Sequence, residues 1–321
     1  MKNFLKKFKI INSIFEFYIN IIERVTFWIS KILEKTSQLK IIRRIVFNLI
    51  PRNKKILIET IYGNFLMSTN DRIITKKSYI SKVPYSGLSV KKTFDVLKKE
   101  KIVINKFIDI GANIGTSSIS AYHINENLNF LCIEGNKNNF SLLLKNVKLN
   151  DVEDKFKLLN KLVGEKKSTR LFVEFAEEKG CSRVFEDIKE LERYQKTYKN
   201  KVINKYEVNT EKLEDLISVK PDENPLLWID IEGLDLEILK SNVFKNRFPV
   251  CFEYNPTFYK IKYKNYKNFI SEIENYLINC GYQTAFVESK SYKKQQFDHG
   301  FLTDISKYLG ENKASTNILL I

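Results

Sequence analysis

Four short apolar runs, "KFIDI" (106–110), "NFLCIE" (129–134), "LLWIDIEG" (226–233) and "FPVCFEYN" (248–255), are each followed by a stretch of helical spacing. That alternation constrains the fold more than any other feature. Apolar runs of this kind, unbroken by alternating polar residues, imply parallel strands buried on both faces, with the intervening helices as crossovers. "FKLLNKLVG" (156–164) reads as one more strand, ahead of a charged insertion from about Glu165 to Asn209. "YQTAFVES" and the terminal "TNILLI" add two further strands. The expected architecture is an open, doubly wound α/β sheet. In such sheets ligands sit beyond the carboxyl ends of the strands, near the switch in strand order.

The chain has 321 residues, 43% of them apolar, enough for one large core and an appendage. The appendage is N-terminal. From Met1 to Ile50 apolar residues such as Phe4, Phe8, Ile11, Phe15, Tyr18, Ile22 and Val25 recur at helical spacing. Charges interrupt them too often for a membrane span, and no signal-peptide pattern is present. Residues 1–52 therefore read as a basic region of two or three amphipathic helices, able to pack on a domain, dimerise or lie on a membrane interface. Residues 53–321 form the main domain, with a hairpin "ILIETIYGNFLMST" turning at Gly63–Asn64 and a lead-in helix over 53–105, and the core over 106–321. The net charge is +16, and residues 1–60 hold thirteen Lys and Arg against four Asp and Glu. That excess suits nucleic acid, an anionic membrane or acidic glycans, and equally plain solubility. Cys132, Cys181, Cys251 and Cys280 lie far apart without a CxxC pair, as expected of reduced thiols in a cytoplasmic protein rather than a disulfide frame or a zinc site.

The loop "DIGANIG" (109–115) follows the first parallel strand. It lacks the lysine of a triphosphate loop, and Gly111, Asn113 and Gly115 do not have the spacing of a dinucleotide fingerprint. A carboxylate at Asp109 would repel a pyrophosphate and attract a ligand carrying an ammonium and a sulfonium, as S-adenosylmethionine does. Glu134 ends the next strand, where a carboxylate accepts both ribose hydroxyls of a nucleoside. In "WIDIEG", Asp230 and Glu232 are two apart at a strand end and so share a face; such a pair is costly unless a cation, a proton or a ligand is near. Gly233 then permits a tight turn.

DIGANIG, "CIEGNKNNFSLLLKNVKLN", "VNTEKLEDLI" and "WIDIEGLDLEILK", in this order and spacing over about Phe107 to Tyr254, resemble the successive motifs of the FkbM family of S-adenosylmethionine-dependent methyltransferases. The resemblance implies a Rossmann-like class I methyltransferase fold, with a mostly parallel seven-stranded sheet, helices on both faces and a final reversed hairpin. It implies methylation of hydroxyls on sugars, polyketides or related metabolites. It assigns cofactor binding to Asp109, Gly111, Asn113, Gly115 and Glu134, and an active-site position to Asp230, Glu232 and Gly233. The chain departs from many members at Trp228, where they have a lysine, and at "VPYSG" (83–87), where Gly-x-x-Glu is common.

Methyl transfer to a hydroxyl needs alignment and a way to remove the proton, so Asp230 and Glu232 are candidates for a general base or for ligands of a divalent metal. His123 lies late in a helix and reads as structural; His299, in "FDHGF", sits in a C-terminal loop as a further candidate acid or base or as a surface histidine. Two rival functions remain at this point. One is an RNA or other nucleic-acid methyltransferase, suggested by the charge, the Tyr/Lys-rich stretch 254–269 and the NPPF-like "NPTF" (255–258). The other is a non-catalytic Rossmann-like module docked to a membrane or complex through its N-terminal helices. The expected setting is the cytoplasm, with a small-molecule or glycan acceptor and a place for residues 1–50 at the inner face of the membrane.

Overall fold

The computed structural model describes residues 38–176, 182–305 and 315–321. The helices expected before residue 38, Cys181 and part of the charged insertion lie outside the described residues. The described chain opens with α1 (Gln38–Leu49), the hairpin β1 (Lys55–Thr60) and β2 (Gly63–Ser68), α2 (Ile74–Ser81) and α3 (Gly87–Lys99). The hairpin pairs Thr60 with Gly63, so the turn falls on Ile61 and Tyr62 rather than on Gly63–Asn64. Gly63 has φ +105, and a Cβ there would lie 2.7 Å from Asn150 Oδ1 and 2.8 Å from His123 Nε2. Its glycine serves close packing against two helices rather than the reversal itself.

The main sheet follows from β3 (Lys106–Ile110), β4 (Asn129–Ile133), β5 (Phe156–Leu159), β10 (Pro225–Ile229), β11 (Val250–Tyr254), β12 (Thr284–Glu288), β13 (Tyr292–Gln296) and β14 (Thr316–Leu320). Its order is β13-β12-β14-β11-β10-β3-β4-β5. The run from β11 to β5 is parallel, and β14 is inserted antiparallel between β11 and β12. This is the expected mostly parallel sheet with a reversed C-terminal strand. Its seven strands gain an eighth, β13, a polar edge strand paired only with β12. Helices α4 (Thr116–Ile124) and α5 (Lys137–Leu149) follow β3 and β4 as crossovers.

Alternation along each strand divides the core in two. Ile108, Ile110, Leu227, Ile229 and Phe252 belong to one apolar cluster; Phe107, Phe130, Leu226, Trp228 and Cys251 belong to the other, which also takes in Phe47 and Ile50 from the α1 region. The central strand β10 is buried at all five residues, which is why it reads as an unbroken apolar run. The short α8 (Asp235–Ile238) comes after β10, and α9 (Pro256–Lys262) and α10 (Tyr266–Asn279) after β11.

The stretch "FKLLNKLVG" is two strands, because Asn160 and Lys161 separate β5 from β6 (Leu162–Gly164), which leaves the main sheet. The insertion is a second sheet rather than a loop. With β6 it comprises β7 (Ser168–Phe175), β8 (Arg183–Phe185) and β9 (Val202–Lys212), in the order β6-β9-β7-β8, with α6 (Ile188–Thr197) before β9 and the single turn α7 (Leu213–Leu216) after it. A buried ionic cluster ties this sheet to the core. Glu237 of α8 meets Arg170 of β7 at 3.4 Å, accepts from Tyr263 Oη at 2.9 Å and pairs with Lys262. No described helix is long and apolar enough to cross a membrane.

Candidate active site

The glycine loop bends because three of its residues take left-handed backbone: Gly111 at φ +89, Asn113 at φ +52 and Gly115 at φ +90. Gly111 lies against the backbone just past the end of β10, and a Cβ there would lie 2.0 Å from the Asp230 carbonyl oxygen. No larger residue fits without moving one strand end. The loop also folds toward β4, since the Gly111 and Ala112 N–H groups both donate to the Ile133 carbonyl, at 2.9 and 3.0 Å. Glu134 completes this strap. Its Oε2 accepts from Asn113 N at 2.8 Å and its Oε1 from Asn136 N at 2.6 Å. Burial pushes the Glu134 carboxyl up to about 7, against the lowering effect of the Asn136 and Asn113 N–H bonds, while the nearby Asp109 charge adds to the rise. Asn136 caps α5 by accepting from the N–H groups of Asn138 and Asn139.

Asp109 occupies a different place from the one expected. It shares a sheet face with Phe107, two residues earlier, and so points under the helices rather than out of the strand end. The side chain is fully buried and accepts hydrogen bonds from the Ser117 and Ser118 hydroxyls in the first turn of α4. It does not line the cleft. Burial lifts it to about 6 despite these bonds. Gly115 is also behind the wall: a Cβ there would press on Leu143 Cδ1 at 2.8 Å.

The end of β10 carries the acids. The Asp230 N–H still donates to the Ile110 carbonyl at 2.9 Å, so Asp230 is anchored beside the glycine loop. The chain then turns through Glu232 (φ +54) and Gly233 (φ +95), and Asp235 holds this turn by accepting from Ile231 N at 2.9 Å and Gly233 N at 3.0 Å. A left-handed glutamate is an uncommon and strained conformation, kept here by the bonds around it. Glu232 Oε2 accepts from Arg183 Nη2 at 2.8 Å. The Arg183 guanidinium lies 4.0 Å from the Phe258 ring centroid and 4.6 Å from that of Tyr194. Burial raises Glu232 to about 8, opposed by Arg183 and reinforced by Glu253 and Asp235. Asp230 is pushed well above the usual carboxylate range by burial and by the charges of Glu253, Glu232, Asp235 and Asp109; Asp235 reaches about 7, again chiefly through burial.

These elements close around a cleft of about 140 Å³, roughly ten times what one ordered water needs. Gly111, Asn113, Glu134, Asp230 and Glu232 of the expected residues line it, together with Arg183 and Asn136. Asp71 and Tyr85 line it from the segments flanking α2, and Leu162, Phe172 and Val184 from the second sheet. His299 is not among the lining residues. It is exposed, with Nδ1 2.7 Å from Asn275 Oδ1 on α10. His123 Nε2 lies 3.5 Å from Asn150 Oδ1, where it packs the hairpin. Among the described residues no group of three or more His, Cys, Asp or Glu is arranged to hold a metal ion. "NPTF" is a helix start: Asn255 accepts from Thr257 N at 3.1 Å and Pro256 opens α9. Tyr254 and Tyr259 beside it are core residues.

Two residues of the site escape sequence reasoning. Arg183 stands in a charged insertion with no periodic signal. Asp235, five residues after Asp230, is identifiable only from the backbone turn it caps.

A parallel sheet with a reversed strand near one edge, a glycine loop after its first strand and a carboxylate after its second define a class I methyltransferase fold of the S-adenosylmethionine-dependent type. The sequence profile described as the methyltransferase FkbM domain matches residues 109–284. This is more than half of the chain, which belongs to the FkbM methyltransferase family. Solved structures similar to it include a precorrin-6y C5,15-methyltransferase from Geobacter metallireducens GS-15, 13% identical, covering 70% of this chain and 84% of that one, TM-score 0.33. A putative caffeoyl-CoA O-methyltransferase from Staphylococcus aureus is 11% identical, covering 78% and 90%, TM-score 0.37. M. jannaschii TYW2 in complex with AdoMet is 11% identical, covering 85% and 86%, TM-score 0.35. At these identities and scores the likeness says nothing of substrate. A search of curated proteins found no match.

The residues present fit such a cofactor. Each Glu134 oxygen accepts one backbone N–H, and a carboxylate offers about four acceptor positions, so two remain for a ribose diol. Gly111 keeps the loop backbone bare at the strand ends, and Leu162, Phe172 and Val184 supply an apolar wall for a base. Asp230 and Glu232 make the opposite end of the cleft acidic, suited to a cationic group and unsuited to a phosphate.

Proposed function

We propose that this chain is an O-methyltransferase that uses S-adenosylmethionine to methylate a hydroxyl of a neutral sugar, glycan or related small metabolite. The observation that carries the reading is the pair Asp230 and Glu232 at the end of β10, both raised in pKa and both facing the cleft beside the glycine loop. S-adenosylmethionine supplies, when bound, an electrophilic methyl on a sulfonium, and its loss leaves a neutral thioether. Glu232 receives the proton that the acceptor hydroxyl gives up as its oxygen takes the methyl. A carboxylate that titrates near 8 is a better proton acceptor at neutral pH than an ordinary one. Arg183 holds one Glu232 oxygen and thereby orients the other. The cleft floor is acidic, which disfavours a polyanion, and Tyr85 at its rim offers an aromatic ring against which a sugar packs. This supports a neutral acceptor over RNA. The same reading puts the reaction on the cytoplasmic side, where the methyl donor is made.

Calorimetric titration with S-adenosylmethionine, followed by transfer of labelled methyl to a panel of glycosides, polysaccharides and total RNA, tests it. Labelled glycan and a Glu232→Gln variant that loses roughly 100-fold or more in turnover and far less in cofactor affinity are expected. Salt-sensitive methylation of RNA would replace the acceptor class, and absence of cofactor binding would leave a non-catalytic module.

A further inference from the structure

Helix α1 has two faces of different character. Phe47 and, just beyond the helix, Ile50 are buried in the core of the protein, and Arg43 Nη1 donates to the Ile80 carbonyl on α2 at 3.2 Å. The outward face consists of Lys40, Ile41, Arg44, Ile45, Asn48 and Leu49, all exposed. Ile41, Ile45 and Leu49 are four residues apart and so stand in one line along the helix. They are 60%, 56% and 62% exposed, respectively. Single exposed apolar residues need no explanation. Three in a row on one helix, beside a parallel line of Lys40, Arg44 and Asn48, make an amphipathic surface of the kind that lies in a membrane interface. The helix contains no acid, and Arg52, Lys54 and Lys55, also exposed, follow within six residues of its end.

We propose that this face docks the enzyme onto an anionic phospholipid bilayer, with Ile41, Ile45 and Leu49 entering the headgroup boundary and Lys40 and Arg44 meeting lipid phosphates. Charge decides among the occupants. A second copy bound symmetrically through the same face would bring Lys40 and Arg44 of both chains together, with like charges opposed. Residues 1–37 carry more Lys and Arg than acid and have the same sign as the face. An anionic lipid surface has the opposite sign and an apolar layer at the depth these side chains reach. Docking through this face is independent of which acceptor the enzyme methylates.

Sedimentation of the full-length protein with vesicles tests this. Binding is expected to vesicles of equimolar phosphatidylcholine and phosphatidylglycerol, to weaken with salt, and to be absent with phosphatidylcholine alone. The variant Ile41→Ser/Ile45→Ser/Leu49→Ser is expected to lose roughly tenfold or more of that binding. Lys40→Glu/Arg44→Glu is expected to lose at least about fivefold per charge. Both sets of side chains lie outside the core, so cofactor affinity and melting temperature should stay unchanged and serve as folding controls. Four results overturn the proposal: no vesicle binding by the native chain, equal binding to phosphatidylcholine alone, full binding retained by both variants, or a self-association in solution that the triple variant abolishes.

Discussion

Arg183 of β8 donates to Glu232, 49 residues away in sequence and at the turn after β10, across 2.8 Å. The arginine is 5% exposed and the glutamate 23%, so neither charge is well solvated without the other. The contact joins the second sheet to the acid end of the cleft. Arg183→Met should therefore do two things. It leaves Glu232 with its pKa raised further, so the acidic limb of the pH–rate profile moves to higher pH. It also lowers stability at pH above the raised Glu232 value, where the carboxylate is ionised without a partner, and little below it, where the group takes up a proton instead. Adding Glu232→Gln should recover much of the stability and none of the turnover. Chemical denaturation and pH–rate profiles of the single and double variants separate these effects; an unmoved acidic limb would show that Arg183 does not act on Glu232.

Gly111→Ala should be among the most damaging single-methyl changes in the chain. The new Cβ would fall 2.0 Å from a backbone oxygen, which cannot rotate away as a side chain would, and the residue would sit at φ +89. Loss of cofactor binding by at least about tenfold and a stability loss of roughly 1–3 kcal/mol are expected. Calorimetry and thermal melting check both. Gly300→Ala, also at positive φ but with nothing within 4 Å of the new Cβ, is the matched control for backbone strain without collision.

The buried carboxyls in and behind the cleft make stability depend on pH with a definite sign. Asp109 is raised to about 6, Glu134 and Asp235 to about 7 and Glu232 to about 8. A raised carboxyl binds its proton more tightly folded than unfolded, so its stabilising contribution is complete below the unfolded value near 4 and is lost as pH rises through the folded one. The protein without cofactor should therefore lose stability from about pH 5 to about pH 8, by on the order of 1 kcal/mol per pH unit for each group titrating, and melt at progressively lower temperature. A cationic cofactor beside Asp230 and Glu232 favours their charged forms, so saturating S-adenosylmethionine should flatten the upper part of this fall. Melting curves across the range with and without the cofactor provide the check; stability that rises over pH 5–8 would contradict the assignment.

The parallel core was legible because a strand buried on both faces must be apolar at every position, as "PLLWI" is. The second sheet was not, because β9 exposes one side to solvent and its sequence "VINKYEVNTEK" reads as a charged loop. The eighth strand, β13, is "YKKQQ", held by backbone pairing to β12 and by Tyr292, its one side chain packed on the core. Within the site, acids at strand ends were visible by position, and the cleft contains Glu134, Asp230 and Glu232. Asp109 is expected at the cofactor from its charge at a strand end and from the family resemblance, whereas the period of two that it shares with Phe107 sends its side chain under α4. Arg183 depends on a contact between distant segments, and spacing along the chain carries no record of it.

The different placements of Glu134 and Asp109 give a further test, since both are acids near the glycine loop and only one lines the cleft. Glu134→Gln keeps the shape but puts an amide donor where one of two backbone N–H groups must be accepted, so either the Asn113 or the Asn136 strap opens. A ribose diol would also lose one of its acceptors. Cofactor affinity should fall about tenfold or more, with turnover at saturating cofactor nearly unchanged. Asp109→Asn keeps, with its oxygen in the Oδ2 place, the acceptor that both serine hydroxyls use, and it does not itself line the cleft. It should weaken cofactor binding by no more than a few-fold and act mainly through the first turn of α4, which hydrogen exchange at Ser117 and Ser118 would report. Equal losses of affinity in the two variants would mean that Asp109 reaches the ligand after all, and that the loop moves when the cofactor binds.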